Sequence, residues 1–173
     1  MTAVLDRAEV RARAWSAAAT VVDPELPMLT LVDLGVLREV TVEANGVVVA
    51  AITPTYSGCP AMATMRDDLV RTLQEAGFAD VLVGVALDPA WTTDWITPDG
   101  RAALAAAGIS PPGPAPQRSG PIALQLTPTR RAVVCPRCGS DEVRLTSEFG
   151  STACKAMYQC RGCLEPFDHV KEI

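Results

Sequence analysis

The sequence predicts an α+β protein. A small α-β-β-α-β-α domain, with its helices packed on one sheet face, precedes a Pro/Gly-rich linker and a β-rich zinc ribbon. Three observations predict this. Two apolar runs flank Ala44-Asn45-Gly46, and Asn-Gly in that setting is the strongest short hairpin signal. Apolar residues recur at helical spacing on both sides of the hairpin, in 4–20 and in 60–76. Two C-x-x-C pairs stand 21 residues apart near the end of the chain. The expected boundaries are 1–107, 108–128 and 129–173.

The elements follow in order. Val4, Ala8, Arg11, Ala14, Trp15 and Ala18 share one side of a helix over 4–20, which Pro24 and Pro27 end. Strands are expected near 36–43 and 47–53. Pro60 suits the first position of a helix, with Ser57, Gly58 or Cys59 ahead of it as cap. Met62, Met65, Leu69, Leu73 and Ala76 then define its apolar side, and Gly77 closes it. Residues 79–87 read as a third strand. Thr97 caps a short helix with Pro98 at its first position, ending before Gly108. The stretch GISPPGPAPQRSGP, residues 108–121, reads as an extended linker that cannot bury a core.

Composition narrows the function. Only eight of 173 residues are aromatic, so the core should be aliphatic. No run approaches the roughly 18 apolar residues of a membrane span. The first residues carry Asp6 and Glu9 and no apolar segment, so no signal peptide is expected and the predicted location is cytoplasmic. Residues 1–107 hold seven Lys/Arg against fourteen Asp/Glu, and residues 129–173 hold seven against six. Neither part offers the basic stripe that nucleic acid requires. A lone histidine weakens any hydrolase triad, and a C-x-x-C oxidoreductase lacks its βαβ context. No catalytic residue is assigned, and turnover of its own is not expected.

Five of six cysteines crowd into the tail. In a reducing compartment that pattern points to metal rather than disulfides. Cys135 and Cys138 form one knuckle, Cys160 and Cys163 the other, and together they make a closed four-sulfur zinc shell. A tail of 45 residues needs such a staple. A closed shell implies structural zinc. Cys154 reads either as a small buried residue or as an alternative or additional ligand, in place of Cys160 or toward an iron–sulfur cluster. His169 reads as a packed or solvated side chain rather than a ligand.

Cys59 is the only cysteine before the tail. At a helix N-terminus its thiolate would be stabilised, making it reactive; otherwise it is an inert loop residue. In Asp23-Pro24-Glu25, the proline holds two carboxylates in an extended turn. They read as oxygen ligands, as an interaction face, or as a turn that ends the helix. Trp91 and Trp95 read as packing around a turn, with a protein-contact surface as the alternative.

VVDPELP, LVDLGVL and TPTYSGCP, with the helix that follows, resemble the SufT-like family of small iron–sulfur assembly proteins. PAWTTDWITPDGRAALAAAGISPP and the tail CPRCGS…SEFGSTACKAMYQCRGCLEPFDHVK are similar to the branch of that family tied to bacterial phenylacetic acid degradation. The resemblance covers almost the whole chain. It implies that Cys59, with Asp23 and Glu25, handles iron or an iron–sulfur cluster transiently. It implies an accessory role in assembling or delivering metal centres to phenylacetyl-CoA ring-1,2-epoxidase. The clients would be the di-iron subunit or the reductase with its flavin and [2Fe–2S] cluster. The alternative is a stoichiometric structural or coupling subunit of that complex. One cysteine cannot hold a [2Fe–2S] cluster alone, so a homodimer, a small thiol or Cys154 would complete the site.

Overall fold

β1 (Leu37–Val42) and β2 (Val48–Ile52) form the predicted antiparallel hairpin. The structure is a computed structural model that describes residues 6–56, 58–115 and 132–173. The connection is a three-residue loop rather than a two-residue turn. Glu43 N–H donates to Val47 O (2.9 Å), and Gly46 N–H donates to Glu43 O (3.0 Å). Gly46 has φ +88°, the left-handed value that closes a loop of this length with a bulge. The Asn45 side chain accepts from Val47 N–H at 3.1 Å.

The chain divides into two compact units, Met1–Trp91 and Thr92–Ile173. In the first, α1 spans Arg7–Ala18, α2 spans Met62–Glu75 and β3 spans Val81–Val85. The sheet order is β1-β2-β3. β3 runs parallel to β2 because α2 crosses over between them. Val40, Val48, Ala50 and Ile52 are buried from the sheet. Met65, Leu69 and Leu73 of α2 and Ala14 and Ala18 of α1 are also buried. The core is aliphatic, as the composition requires. Each of its large side chains contributes about 1.5–3 kcal/mol of apolar burial. Gly77 ends α2 as expected, with Gly77 N–H on Gln74 O and Phe78 N–H on Leu73 O.

α1 occupies Arg7–Ala18 of the expected 4–20, and residues 4 and 5 lie outside the described residues. The loop after it turns on Asp23. The Asp23 carboxylate is buried, and its Oδ1 accepts from the N–H groups of Glu25 and Leu26, both at 2.8 Å. That local pairing satisfies two donors which Pro24 and Pro27 leave outside any helix. Trp91 is buried in this unit and donates its indole N–H to Leu34 O at 2.9 Å.

The second unit differs from the sequence reading. The helix expected in the first domain, α3 (Pro98–Ala106), belongs here, so two helices rather than three accompany the first sheet. Thr97 caps α3 as expected, accepting from Gly100 N–H at 3.0 Å. β4 (Val143–Ser147), β5 (Lys155–Cys160) and β6 (Pro166–Val170) form an antiparallel sheet in that order. Backbone bonds tie the segment around α3 to the end of the chain. Thr93 N–H donates to Ile173 O (3.1 Å), Ser110 N–H to Asp168 O (2.8 Å) and Val170 N–H to Ser110 O (3.1 Å). Ser110 to Gly113 is therefore paired structure rather than open linker. Residues 116–128 of the expected linker, and 129–131 of the expected ribbon, lie outside the described residues.

His169 is fully buried at this seam. One ring nitrogen lies 3.3 Å from Ser110 Oγ and the other 3.2 Å from Glu172 Oε1. Glu172 also accepts from Gly113 N–H at 3.2 Å. Partial burial raises the Glu172 carboxyl, but the His169 hydrogen bond and backbone N–H groups outweigh it and hold it at about 2.

Two outcomes follow. Asp23→Ala leaves the buried Leu26 N–H and the part-buried Glu25 N–H without their acceptor and should lower stability by about 1–3 kcal/mol, read by thermal melting. Glu172 has a depressed carboxyl, so its contribution is complete above the ordinary carboxylate value and is lost as pH falls toward about 2. The gap in Tm between the wild type and Glu172→Gln should be constant from neutral pH into mild acid and close below that.

Candidate metal centre

A turn at residues 136–138 and the loop after β5 bring the two knuckles together. The sulfur atoms of Cys135, Cys138, Cys160 and Cys163 all lie within 4.8 Å of one another. Cys135 Sγ is 3.7 Å from Cys163 Sγ, and Cys138 Sγ is 3.5 Å from Cys160 Sγ. Four sulfurs at the usual Zn–S length of about 2.3 Å from one ion stand roughly 3.8 Å apart. The cluster fits a tetrahedral zinc with no open position.

The backbone is set for thiolates. Cys160 Sγ accepts from Gly162 N–H (3.3 Å) and Cys163 N–H (3.4 Å). The Cys163 N–H is the main reason the Cys160 thiol is drawn down to about 6; the Cys138 thiol and Gly162 N–H add to it against burial. Cys163 moves the other way, to about 12. The Glu165 N–H lowers it, but burial and hydrogen bonds to the Cys138, Cys160 and Cys135 thiols outweigh that. Four negative sulfurs in one place need a dication, and a bound Zn²⁺ would deprotonate them all. Cys135 and Cys160 are buried among Val133, Ala156, Tyr158 and Phe167, while Cys138 and Cys163 are exposed.

Cys154 is outside this group. Its sulfur lies 3.0 Å from Thr152 Oγ1, in the loop before β5. His169 is outside it too, in the seam with Ser110 and Glu172. The Ser-His-Glu order there resembles a hydrolase triad, but Ser110 is buried and the arrangement serves as a clasp. Sequence reasoning missed Ser110 and Glu172. Their only signal is the three-residue step from His169 to Glu172.

In the first unit, α2 begins at Met62 rather than at Pro60, with Ala61 as its N-cap and no side-chain cap. Cys59 therefore precedes the first helical residue by three positions. It is half-buried, its N–H donates to Tyr56 O (3.3 Å), and its carbonyl accepts from Met62 N–H (3.4 Å). Gly58 ahead of it has φ +86°, which an L side chain rarely adopts, so the turn presenting Cys59 requires glycine. Ser57, one of the expected caps, lies outside the described residues. Asp23 points inward into its own turn, and Glu25 is half-buried. Among the described residues, Cys59, Asp23 and Glu25 do not converge into one group of ligand atoms; the four tail cysteines do. No helix among the described residues is long and apolar enough to cross a membrane.

Comparison with known proteins agrees with this division. Residues 11–85 match the family described as iron–sulfur cluster assembly protein, and residues 120–171 match the PaaD zinc beta ribbon domain. The chain is 47% identical over 159 residues to an Escherichia coli protein provisionally named as a subunit of 1,2-phenylacetyl-CoA epoxidase, covering 92% of this chain and 91% of that one. It is 34% identical over 91 residues to the Staphylococcus aureus Fe-S protein maturation auxiliary factor SufT, covering 52% of this chain and 99% of that one. A crystal structure of a DUF59 domain from Bacillus anthracis superposes with TM-score 0.52 at 25% identity, over 57% of this chain and 93% of that one. The tail is a zinc ribbon, and the fold before it is that of the DUF59 domain.

The metal prediction separates the tail cysteines. Purified protein should hold about one zinc per chain. Cys160→Ser should lose most of it and raise hydrogen exchange across β4–β6. Cys154→Ser should keep both zinc and protection. Metal analysis and exchange mass spectrometry on the three proteins check it.

Proposed function

Because the chain belongs to the PaaD family, in which an iron–sulfur assembly domain is joined to a zinc ribbon, we propose that it is an accessory protein of a phenylacetyl-CoA ring-1,2-epoxidase. Its role in this reading is to assemble or deliver iron or iron–sulfur centres to the reductase or the di-iron subunit. One observation carries the reading. The matched assembly domain contains a single thiol, Cys59, on a turn of its own and outside the closed sulfur shell of the ribbon. Zinc in the ribbon is structural, so iron handling falls to the first unit.

Within that unit Cys59 is the iron or cluster ligand. Glu25 offers a half-buried carboxylate nearby in sequence to a turn that Asp23 holds in shape through its two N–H bonds. In this reading Asp23 keeps the turn that carries Glu25 in shape rather than binding metal itself. A single protein thiolate leaves most of the ligand positions of an iron to exchangeable groups, which suits transfer rather than storage. A bridged cluster would draw its remaining ligands from a second copy of the chain or from a small thiol.

A second reading is favoured by the name of the Escherichia coli relative, which is that of an enzyme subunit. In that reading the protein is a stoichiometric structural or coupling subunit, and Cys59 carries no metal.

Iron, zinc and acid-labile sulfide per chain in anaerobically purified wild type and Cys59→Ser distinguish the two. The delivery reading expects about one zinc in both proteins, and iron or sulfide only in the wild type. Zinc alone in both proteins, with stable co-purification of the epoxidase subunits, would overturn delivery in favour of the coupling subunit.

A further inference from the structure

We propose that the groove between α1 and the outer edge of β1 is a docking site for an extended acidic segment of a partner polypeptide. Neither Cys59 nor metal transfer enters into it. The groove has a volume of about 440 Å³, within the range of ligand-sized clefts. Ala8 and Ala12 of α1 leave room along one wall, and the exposed Trp15 indole stands one helical turn further on. Arg11 comes from the helix, and Arg38 and Glu39 from the strand.

Charge selects the occupant. The unit Met1–Trp91 contains six arginines, no lysine and twelve Asp/Glu. Two of those arginines line this one groove. A third, Arg7, lies a turn before Arg11 on α1 and donates to Val42 O at the end of β1 (3.3 Å). With Glu39 counted, the groove lining carries a net charge of +1 in a unit of −6, so an acidic ligand is drawn to it rather than to the surrounding surface. Arginine also matches carboxylates with two parallel N–H donors.

Shape selects an extended chain. β1 is an edge strand, with β2 on one side and no strand on the other among the described residues. Edge strands recruit extended segments through backbone groups that no neighbouring strand takes up, and on this edge Arg7 already holds Val42 O. The exposed face of Trp15 offers a flat surface to an aromatic or aliphatic side chain of such a segment, and tryptophan often anchors an interface of this kind. The outer edge of β3 is also open, but 81–87 is wholly uncharged and selects no chemistry.

The test uses full-length zinc-loaded protein and a fluorescein-labelled peptide, acetyl-Glu-Phe-Glu-Val-Glu-Phe-Glu, followed by anisotropy. The wild type should bind it, more weakly as salt rises. Arg11→Glu should weaken binding by about tenfold or more, and Trp15→Ala should also weaken it. Arg71→Glu, an exposed site on α2 outside the groove, should not. A peptide with lysine in place of glutamate should not bind. Amide shifts in the wild type should fall on residues 8–16 and 37–42, which keeps the test informative if a variant fails to fold. Absence of binding at about 1 mM peptide, equal binding by Arg11→Glu or by the lysine peptide, or shifts confined to other surfaces would overturn the proposal.

Discussion

Four thiolates gathered at one point would repel one another, and a zinc held by Cys135, Cys138, Cys160 and Cys163 would cancel that repulsion within the ribbon. Its sheet has three short strands and a small buried cluster of Val133, Ala156, Tyr158 and Phe167 beside Cys135 and Cys160. That cluster is small, and a small core offsets little of the entropy of ordering a chain. The backbone is shaped for sulfur: two N–H groups aim at Cys160, and the knuckles place sulfur pairs 3.5 and 3.7 Å apart. Ligand geometry, strand register and burial are thus one arrangement. Cys160 is also paired with Val143 across β4–β5, so moving its sulfur would disturb that pairing.

The same unit closes on itself a second time through backbone pairing. The segment holding α3 precedes the ribbon by some thirty residues, yet it bonds to the last strand through Ser110 and to the terminal residue through Thr93. His169 and Glu172 reinforce this with a hydrogen-bond contact of 3.2 Å. A zinc staple at one end and a hydrogen-bonded seam at the other bracket a small core. Among its described residues the first unit has no such cysteine cluster. It relies on aliphatic packing of α1 and α2 and on a turn that Asp23 holds closed.

What was legible in the sequence was what depends on neighbours in the chain. Asn45-Gly46 gave away the hairpin, Met65, Leu69 and Leu73 gave away α2, and C-x-x-C spacing gave away the metal ligands. Each signal acts over a few residues. The allegiance of α3 was not legible, because it is fixed by bonds from Thr93 and Ser110 to residues about sixty to eighty positions away. The inward turn of the Asp23 carboxylate was only half legible. Asp-Pro-Glu announces a turn, but the sequence does not show that Oδ1 would be occupied by two backbone donors. The start of α2 was misplaced by two residues because Pro60 fits both the first helical position and the turn before it. The groove along β1 draws residues from α1 and β1, with residues 19–36 between them, and no local pattern marks it.

The alternation of burial around the sulfur cluster sets an order of events. Cys135 and Cys160 are enclosed, whereas Cys138 and Cys163 face solvent, one from each knuckle. An incoming chelator or oxidant meets the outer two first. A bound ion would therefore be open to ligand exchange first on the side of Cys138 and Cys163, with Cys135 and Cys160 as the enclosed pair. The ribbon would keep its fold through the early stages of such an attack, and a competing thiol could share the ion before it took it.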